Sequence, residues 1–454
     1  MTGAMTGKGS HFVNPFFETM PRDALDAFVE RAVLGQLKAA ARDVPFYKWY
    51  YARADFDPAR LSTLAEFRAA VPSVTKRDFL AFQSEHPDAG FDPRARQVHL
   101  TSGTSGVGRE VHTRTQHDLA AIGTGGGYEF IWAGMRPGDR VMLTMPYSQT
   151  MAGPYFQGSC EAAGVVPINA FAADTTERLE QLYRFRCAGL VATPSYVHRL
   201  TIAAREAGRT PAKDLPELRA IFVSGEAYGL EWAAETMAFW GAQIAEGWGA
   251  TQTLGVAMAS AGSGAVEIGP DGTPRRGRLY GIDHRCYIEV LEPGTDTPVS
   301  AGEYGEIVVT TLRTYGLPCI RFRMGDRVRL LEPSGAVQRP FSAYEAGSIT
   351  RVDDMIKMRG MNIWPSAVDE IVIGGPVSDY SGRIYTDTGG REAIELRVEL
   401  ADSVERPDEF ASGLSRKLKE KVGVKMDVVL IEKGSIGEVQ FKAQRWRDER
   451  AVRR

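Results

Sequence analysis

Between Asp139 and Phe239 short apolar runs take turns with helical patterns, and this alternation restricts the fold more than any other feature of the chain. The runs are Asp139–Thr144, Gly164–Ile168, Ala188–Ala192 and Leu218–Val223, with helices predicted at about Thr175–Arg186, Pro194–Ala207 and Gly229–Phe239. Strands separated by helices build a parallel sheet, because a parallel pair needs a long crossover and the helix supplies it. Sheets of this kind gather ligands past the carboxyl ends of their strands. Three segments are expected there: Thr101–Gly106, Ser224-Gly225-Glu226, and Gly247-Trp248-Gly249-Ala250-Thr251.

Ahead of the sheet, Leu25, Phe28, Val29, Ala32, Val33, Leu37 and Ala40 recur on one helical face, which predicts a helix over 21–42 that Val44-Pro45 stops. Thr63 with Glu66 and Thr75 with Asp78 have capping spacing, so two shorter helices should follow. Beyond it the texture turns β-rich at Tyr287–Leu291, Gly305–Thr311 and Val328–Leu331, with Pro293-Gly294 and Pro333-Ser334-Gly335 as turns. The last hundred or so residues read as a small α+β unit: a short helix that 368–373 closes, a strand over 392–400, a helix over 407–422 and a strand over 426–432. The expected fold is α/β, with a large N-terminal α/β domain (1–352), a β-barrel-like subdomain within it, and a small mobile α+β C-terminal domain (353–454).

Composition narrows the chemistry. Lys and Arg number 54 against 57 Asp and Glu, a formal charge of −3, so nothing electrostatic favours nucleic acid or a membrane surface as partner. Cys160, Cys187, Cys286 and Cys319 have neither zinc nor disulfide spacing, and they read as structural thiols of a reducing compartment. The scattered histidines form no H-E-x-x-H pair, and no G-x-S-x-G elbow occurs. No apolar core follows Lys8, and no run approaches about 18 apolar residues, so a cytoplasmic protein acting on small molecules is expected.

Thr101, Ser102, Gly103, Thr104, Ser105 and Gly106 follow the extended stretch Arg96–Leu100. Two glycines free to take positive φ let backbone N–H groups turn toward one point, and the hydroxyls add donors there. Alone, such a hexapeptide is an ordinary connection. Beside two other turns at strand ends it reads as a phosphate grip, with the three segments converging on one nucleotide. Gly103 and Gly108 have Walker A spacing, but Arg109-Glu110 stand where Lys and Ser/Thr are required, so this is not a P-loop.

Five motifs in order now carry a resemblance: TSGTSG (101–106), SGE (224–226), GWGATQTLG (247–255), IRFRMGD (320–326) and RVDDMIKMRGMNIWPSAVDEIV (351–372). Together they resemble the adenylate-forming enzymes of the acyl-CoA synthetase superfamily. Asp43–Tyr47, Thr193–Tyr196 and Lys442–Arg445 are similar to the phenylacetate-CoA ligase branch. The resemblance implies an acid–thiol ligase: ATP and a carboxylic acid give an acyl adenylate and pyrophosphate, and the acyl group then passes to CoA. ATP, Mg²⁺ and CoA are the implied cofactors, and a homodimer is compatible with it. By the same resemblance Thr101–Gly106 holds the β/γ-phosphates, Glu226 and Ala227 lie along adenine, and Trp248, Gly249, Ala250 and Thr251 flank the nucleotide. Asp326 accepts from the ribose hydroxyls, Arg351 and Asp353 form the hinge, with Arg351 also at the nucleotide, and Lys442 is the catalytic lysine. Tyr147, Met151, Ala152, Gly153 and Phe156 with Trp248 are the implied acyl-substrate residues, Ala152-Gly153 leaving room for a flat ring; this points to an aromatic or arylacetic acid.

The sequence also departs from the family. Val107-Gly108-Arg109 stands where a lysine is usual, and Gln252 where the Mg²⁺-binding glutamate sits; an amide oxygen ligates a hard cation without contributing charge. Val439-Gln440-Phe441 replaces the usual small approach to the lysine, and Thr350 the glycine before the hinge. Two further readings stay open: an adenylate-former that passes the acyl group to an amine or a carrier-protein thiol, and a nucleotide-binding relative impaired in catalysis.

Overall fold

The computed structural model describes residues 12–88, 93–101, 108–125, 127–262, 264–333, 339–352, 356–358, 361–373, 375–387, 391–402, 404–436 and 445–450. The helical lead-in follows from its periodicity: Arg22–Asp43 is one helix burying Leu25, Val29, Val33, Leu37 and Ala40. Val44 is extended and Pro45 opens the next helix, Pro45–Arg53, since the residue before a proline is driven out of the helical region. Thr63 with Glu66 and Thr75 with Asp78 form full capping boxes at Leu64–Ala70 and Lys76–Glu85.

β1 (Ala95–Leu100) and β2 (Val111–Thr115) then form a separate antiparallel hairpin. The segment 101–110 joins them, so the hydroxyl-rich loop leaves a hairpin strand and not a strand of the central sheet, which corrects the expectation above. The physical reason is locality: Leu100 pairs with Val111 across a short connection, at little cost in loop closure.

β3 (Arg140–Leu143), β4 (Val166–Asn169), β5 (Gly189–Ala192), β6 (Ala220–Val223) and the first half of β7 (Gln243–Ala250) pair in parallel in the order β4-β3-β5-β6-β7. Helices Thr175–Arg184, Pro194–Glu206 and Leu230–Trp240 occupy the expected crossovers. β7 changes partner midway: Gln243–Glu246 lie along β6, and Gly247–Ala250 pair antiparallel with β8 (Gly255–Ser260). The GWGA segment is therefore strand, not turn, but it lies past the last residue that the parallel sheet pairs.

A short hairpin, β9 (Val266–Ile268) with β10 (Pro274–Arg276), follows. β11 (Arg278–Gly281), β12 (Cys286–Leu291), β13 (Tyr304–Thr311), β14 (Phe322–Leu331) and β15 (Ala343–Glu345) continue the path antiparallel, in the order β7-β8-β11-β15-β14-β13-β12. The β-rich part thus runs on from the parallel part. β16 (Thr350–Arg351) pairs with β14 and sets Arg351 opposite Asp326.

The C-terminal part opens with the hairpin β17 (Ile356–Met358) and β18 (Met361–Ile363) and the helix Pro365–Val372. β19 (Val377–Thr386), β20 (Glu392–Leu400), β21 (Asp427–Ile431) and β22 (Trp446–Asp448) form a sheet in the order β21-β20-β19-β22, backed by helix Pro407–Val422. β19 was not foreseen. A hydrophobic core from Ile356 to Met426 is separate from the one running from Phe17 to Ala346. The two parts meet along helix Pro194–Glu206: His198 Nε2 donates to Val377 O at 2.6 Å, Arg199 to Asp379 at 2.7 Å, and Lys433 to Glu206 at 2.8 Å. All four cysteines are buried free thiols, as structural thiols should be. No helix among the described residues is long and apolar enough to cross a membrane.

Candidate active site

The site is built on the β7–β8 hairpin. Its turn, 251–254, is closed by one hydroxyl: Thr253 Oγ1 accepts from Ala250 N at 2.9 Å and donates to Gly255 O at 2.6 Å. Two glycines let the strands cross closely here. A Cβ on Gly249 would sit 2.0 Å from Gly255 O, and one on Gly255, at φ +107°, would sit 1.8 Å from the Tyr155 ring. Neither position tolerates a side chain without moving the hairpin.

Trp248, 8% exposed, projects from this hairpin, and its Nε1 donates to Asp326 Oδ2 at 3.2 Å. Arg351 Nη1 donates to Asp326 Oδ1 at 3.1 Å. Each carboxylate oxygen has further lone pairs, so the aspartate is oriented by these two donors and remains able to accept hydroxyls. One register supplies the neighbouring wall: Val223 lies beside Glu246, so 224–227 emerge alongside 247–250. Glu226 Oε2 accepts the backbone N–H of Ser195 at 3.1 Å, at the N-terminus of helix Pro194–Glu206. Arg445 reaches this wall from the C-terminal part. Burial works against its charge, but the carboxylates of Glu226, Asp369 and Asp379 outweigh burial and raise its pKa.

The base of the hydroxyl-rich loop is closed by Thr101 N to Glu110 O at 3.1 Å and by Glu110 N to Thr101 Oγ1 at 3.0 Å. Arg109, in the segment that stands where the family carries a lysine, donates from Nε to Thr101 O at 2.9 Å. Glu110, His112 and Arg114 are wholly buried, and sequence reading passed over all three. Glu110 Oε2 accepts from His112 Nε2 at 2.9 Å and from Gln252 Nε2 at 2.6 Å. Burial lowers the His112 pKa more than Glu110 raises it, so the ring is neutral and donates through Nε2–H. Arg114 donates from Nη2 to Thr251 O and from Nη1 to Leu317 O at 3.3 Å. The signal was present: ionisable residues at i, i+2 and i+4 of a strand share one face, and such a face is either solvent or a polar site.

Gln252 meets the chemistry of a Mg²⁺ ligand in one respect. Its NH₂ is committed to Glu110, which leaves the hard amide oxygen as the end available to a cation. No group of three His, Cys, Asp or Glu among the described residues could hold a metal, so a cation here would take most of its ligands from phosphate.

The expected acyl residues divide. Tyr147 is 57% exposed, whereas Met151 and Phe156 are buried, Phe156 against Tyr155 and Phe130. The room expected beside Gly153 is occupied: a Cβ there would lie 2.7 Å from Pro146 O and Tyr147 Cα, so the missing side chain admits main chain and not a ring. Beneath, Glu129 Oε2 accepts from Tyr155 OH at 3.0 Å, and burial pushes the Glu129 carboxyl up to about 7. Because the folded state keeps this proton where an unfolded glutamate near 4.5 has lost it, the Glu129 contribution to stability is full below pH 4.5 and is lost as pH rises through 7. The Glu129 contribution to that loss is on the order of 3 kcal/mol. Glu129→Gln should raise the melting temperature at pH 8 and flatten its pH dependence; equal melting curves for the two proteins at pH 8 would refute this.

Ser102–Gly106, Asp353 and Lys442 lie outside the described residues. Trp248, Gly249 and Ala250 lie on β7 with Thr251 just past it, Glu226 and Ala227 follow β6, Asp326 and Arg351 pair between β14 and β16, and Thr101 follows β1 of the separate hairpin.

Several known proteins resemble this chain over most of its length. The phenylacetate-coenzyme A ligase of Thermus thermophilus is 27% identical over 447 residues, covering 92% of this chain and 95% of that protein. The Escherichia coli enzyme of the same name is 26% identical, covering 96% and 97%. Among solved structures, 2-hydroxyisobutyryl-CoA ligase in the postadenylation state with 2-HIB-AMP superposes with a TM-score of 0.83 at 24% identity, covering 98% of this chain and 94% of that one. The same enzyme with 2-HIB-AMP and CoA in the thioesterification state gives 0.67 at 26% identity, covering 96% and 92%. Residues 360–450 match the C-terminal domain of AMP-binding enzymes and residues 49–314 match the AMP-binding enzyme family, so this chain is a member of that family.

Proposed function

We propose that this protein is an AMP-forming acid–CoA ligase acting on an aryl or arylacetic acid. ATP and the acid give an acyl adenylate with release of pyrophosphate, and the CoA thiol then takes the acyl group. The observation that carries this reading is the Trp248–Asp326–Arg351 constellation at the point where β7 leaves the parallel sheet.

A carboxylate is a weak nucleophile, so the protein has to hold it in line with the α-phosphorus and stabilise the charge that collects on the phosphates. In this reading Asp326, fixed by an indole and a guanidinium, accepts the ribose hydroxyls. Glu226 and Ala227 lie along the adenine, and Trp248 to Thr251 wall the nucleotide on its other side. Thr101–Gly106 grips the outer phosphates with N–H and hydroxyl donors, and Arg109 at the loop base supplies the cation that the missing lysine would have given. Mg²⁺ would be held by the ATP phosphates and the Gln252 amide oxygen, and would supply charge neutralisation of the triphosphate. Tyr147 and Trp248 offer the aromatic surface for the acid.

Residues 353–454 act as a lid that carries Lys442, with the swing taken up at Arg351 and Asp353. Arg445, three residues past the lysine, is buried against Asp379 and feels Glu226. Three residues of chain reach at most about 10 Å, so the anchor of the lysine segment lies beside the nucleotide wall.

The deciding experiment is exchange of labelled pyrophosphate into ATP across a panel of aryl and arylalkyl acids, followed by CoA. Exchange driven by an aryl acid, with AMP and a thioester on adding CoA, is the expected result. Exchange with aliphatic acids alone would overturn the substrate class, and no exchange with any acid would overturn catalysis.

A further inference from the structure

The resemblance implies a Mg²⁺-binding carboxylate at position 252, and the neutral glutamine found there leaves such a site short of one negative charge unless another residue supplies it. Glu110 stands directly behind. Its Oε2 lies 2.6 Å from Gln252 Nε2, it is wholly buried, and His112 Nε2 converges on the same oxygen at 2.9 Å. Burial of a carboxylate is costly unless N–H donors offset it, and here two converge on Oε2 while Oε1 is buried without a hydrogen-bond partner. Its backbone is fixed as well, since Thr101 and Glu110 close the loop base on each other through two hydrogen bonds. The backbone of the glutamine is equally constrained, with Arg114 on Thr251 O and the Cys319 thiol on Gln252 O at 3.8 Å.

An amide can present either end, and an acceptor-only carboxylate selects which one. It takes the NH₂ and turns the carbonyl oxygen the other way. It also polarises that oxygen, because negative charge at the amide nitrogen raises electron density at the far end of the conjugated group. We propose that Glu110 is a positioning residue for the metal of the nucleotide complex: Glu110 and Gln252 act as one two-residue ligand, the glutamine providing the oxygen and the glutamate its orientation and charge. His112 steadies the glutamate from the other side. The inference rests on the nucleotide reading above and adds to it a residue on β2's approach that no motif marks.

Charge placement makes the proposal testable by exchange of the pair. Gln252→Glu restores the usual ligand but sets two carboxylates at hydrogen-bond distance, where both cannot ionise. Glu110→Gln removes the anion and leaves two amides with no fixed orientation. The double variant Glu110→Gln/Gln252→Glu recreates one carboxylate and one amide with the charge in front. Mn²⁺ binding to the full chain with ATP, read by electron paramagnetic resonance, and ATP binding in EDTA, read by calorimetry, separate the metal from the nucleotide.

Each single variant should weaken Mn²⁺ about 10-fold, with the double variant recovering to within about 3-fold, while ATP affinity in EDTA stays level throughout. If Glu110→Gln does not fold, Glu110→Asp reads the same contact, because it keeps the charge and withdraws the acceptor by one methylene. Mn²⁺ affinity indifferent to Glu110, or a Gln252→Glu protein that binds Mn²⁺ as tightly as the unaltered chain, would overturn the proposal and leave the nucleotide site standing. Failure of the unaltered chain to bind ATP in EDTA or with Mn²⁺ would overturn the nucleotide reading and this proposal with it.

Discussion

Lys442→Ala should lower acid-dependent pyrophosphate exchange by about 100- to 1000-fold, the loss found when one charged or hydrogen-bonding stabiliser of a developing anion is removed. The reason lies in when the ammonium is needed. In the adenylating step negative charge builds between the acid oxygen and the α-phosphate, and a compact cation on a long stem can meet it and then leave with its domain. In the second step the adenylate is already formed and the thiol attacks the acyl carbon, so thioester formation from synthetic acyl adenylate and CoA should fall less than about threefold. Rapid-quench measurement of the two half-reactions checks both. An equal loss in both, or exchange within about fivefold of the unaltered chain, would remove Lys442 from the adenylating step.

Arg321→Met should cost about 3–5 kcal/mol of stability, because it strands a buried carboxylate. Arg321 is 1% exposed and donates from Nε and Nη2 to both oxygens of Glu289 at 3.2 Å, and from Nη1 to Val71 O at 2.7 Å. Its own carbonyl takes the N–H of Val74 at 2.9 Å, so one residue ties the helical lead-in to the strand that carries Asp326. It also sits at φ +44°, a conformation held by those bonds. Lysine cannot reproduce the fork, so Arg321→Lys should recover less than half of the loss. Removing the stranded partner as well, in Arg321→Met/Glu289→Leu, should regain most of it. Urea titration of these variants, with Glu289→Leu alone to complete the cycle, measures the coupling; an Arg321→Met midpoint equal to that of the unaltered chain would refute it. The arginine pair of IRFRMGD is thereby explained as bracing: Arg323 Nε bonds Ser73 Oγ at 3.0 Å, the same segment that Arg321 holds.

Legibility in the sequence followed the range of the interactions. Helix Arg22–Asp43, both capping boxes, the strands β3 to β6, the helices Thr175–Arg184, Pro194–Glu206 and Leu230–Trp240, β20 and helix Pro407–Val422 were readable because periodicity, caps and proline act over a few residues. β19 was missed, since Gly382 and alternating Ser, Asp and Arg blur its pattern; Trp446 packs over that glycine only after the chain returns from far downstream. The hydroxyl-rich loop was placed on the wrong sheet for the same reason, because a hairpin and a central strand look alike until pairing is known.

The sequence by itself determined the alternating sheet, the order of the nucleotide motifs and the residues that differ from the family, Gln252 among them. What the tertiary structure decided is who stands behind those residues. Asp326 meets Trp248 and Arg351 only because β7 changes partner and β16 adds to β14. Gln252 meets Glu110 only because the β1–β2 hairpin docks beside the β7–β8 turn, 142 residues on. Local propensity acts through neighbouring peptide units, whereas a charge acts through space, and the partner of a buried charge is fixed by packing that no stretch of the sequence contains.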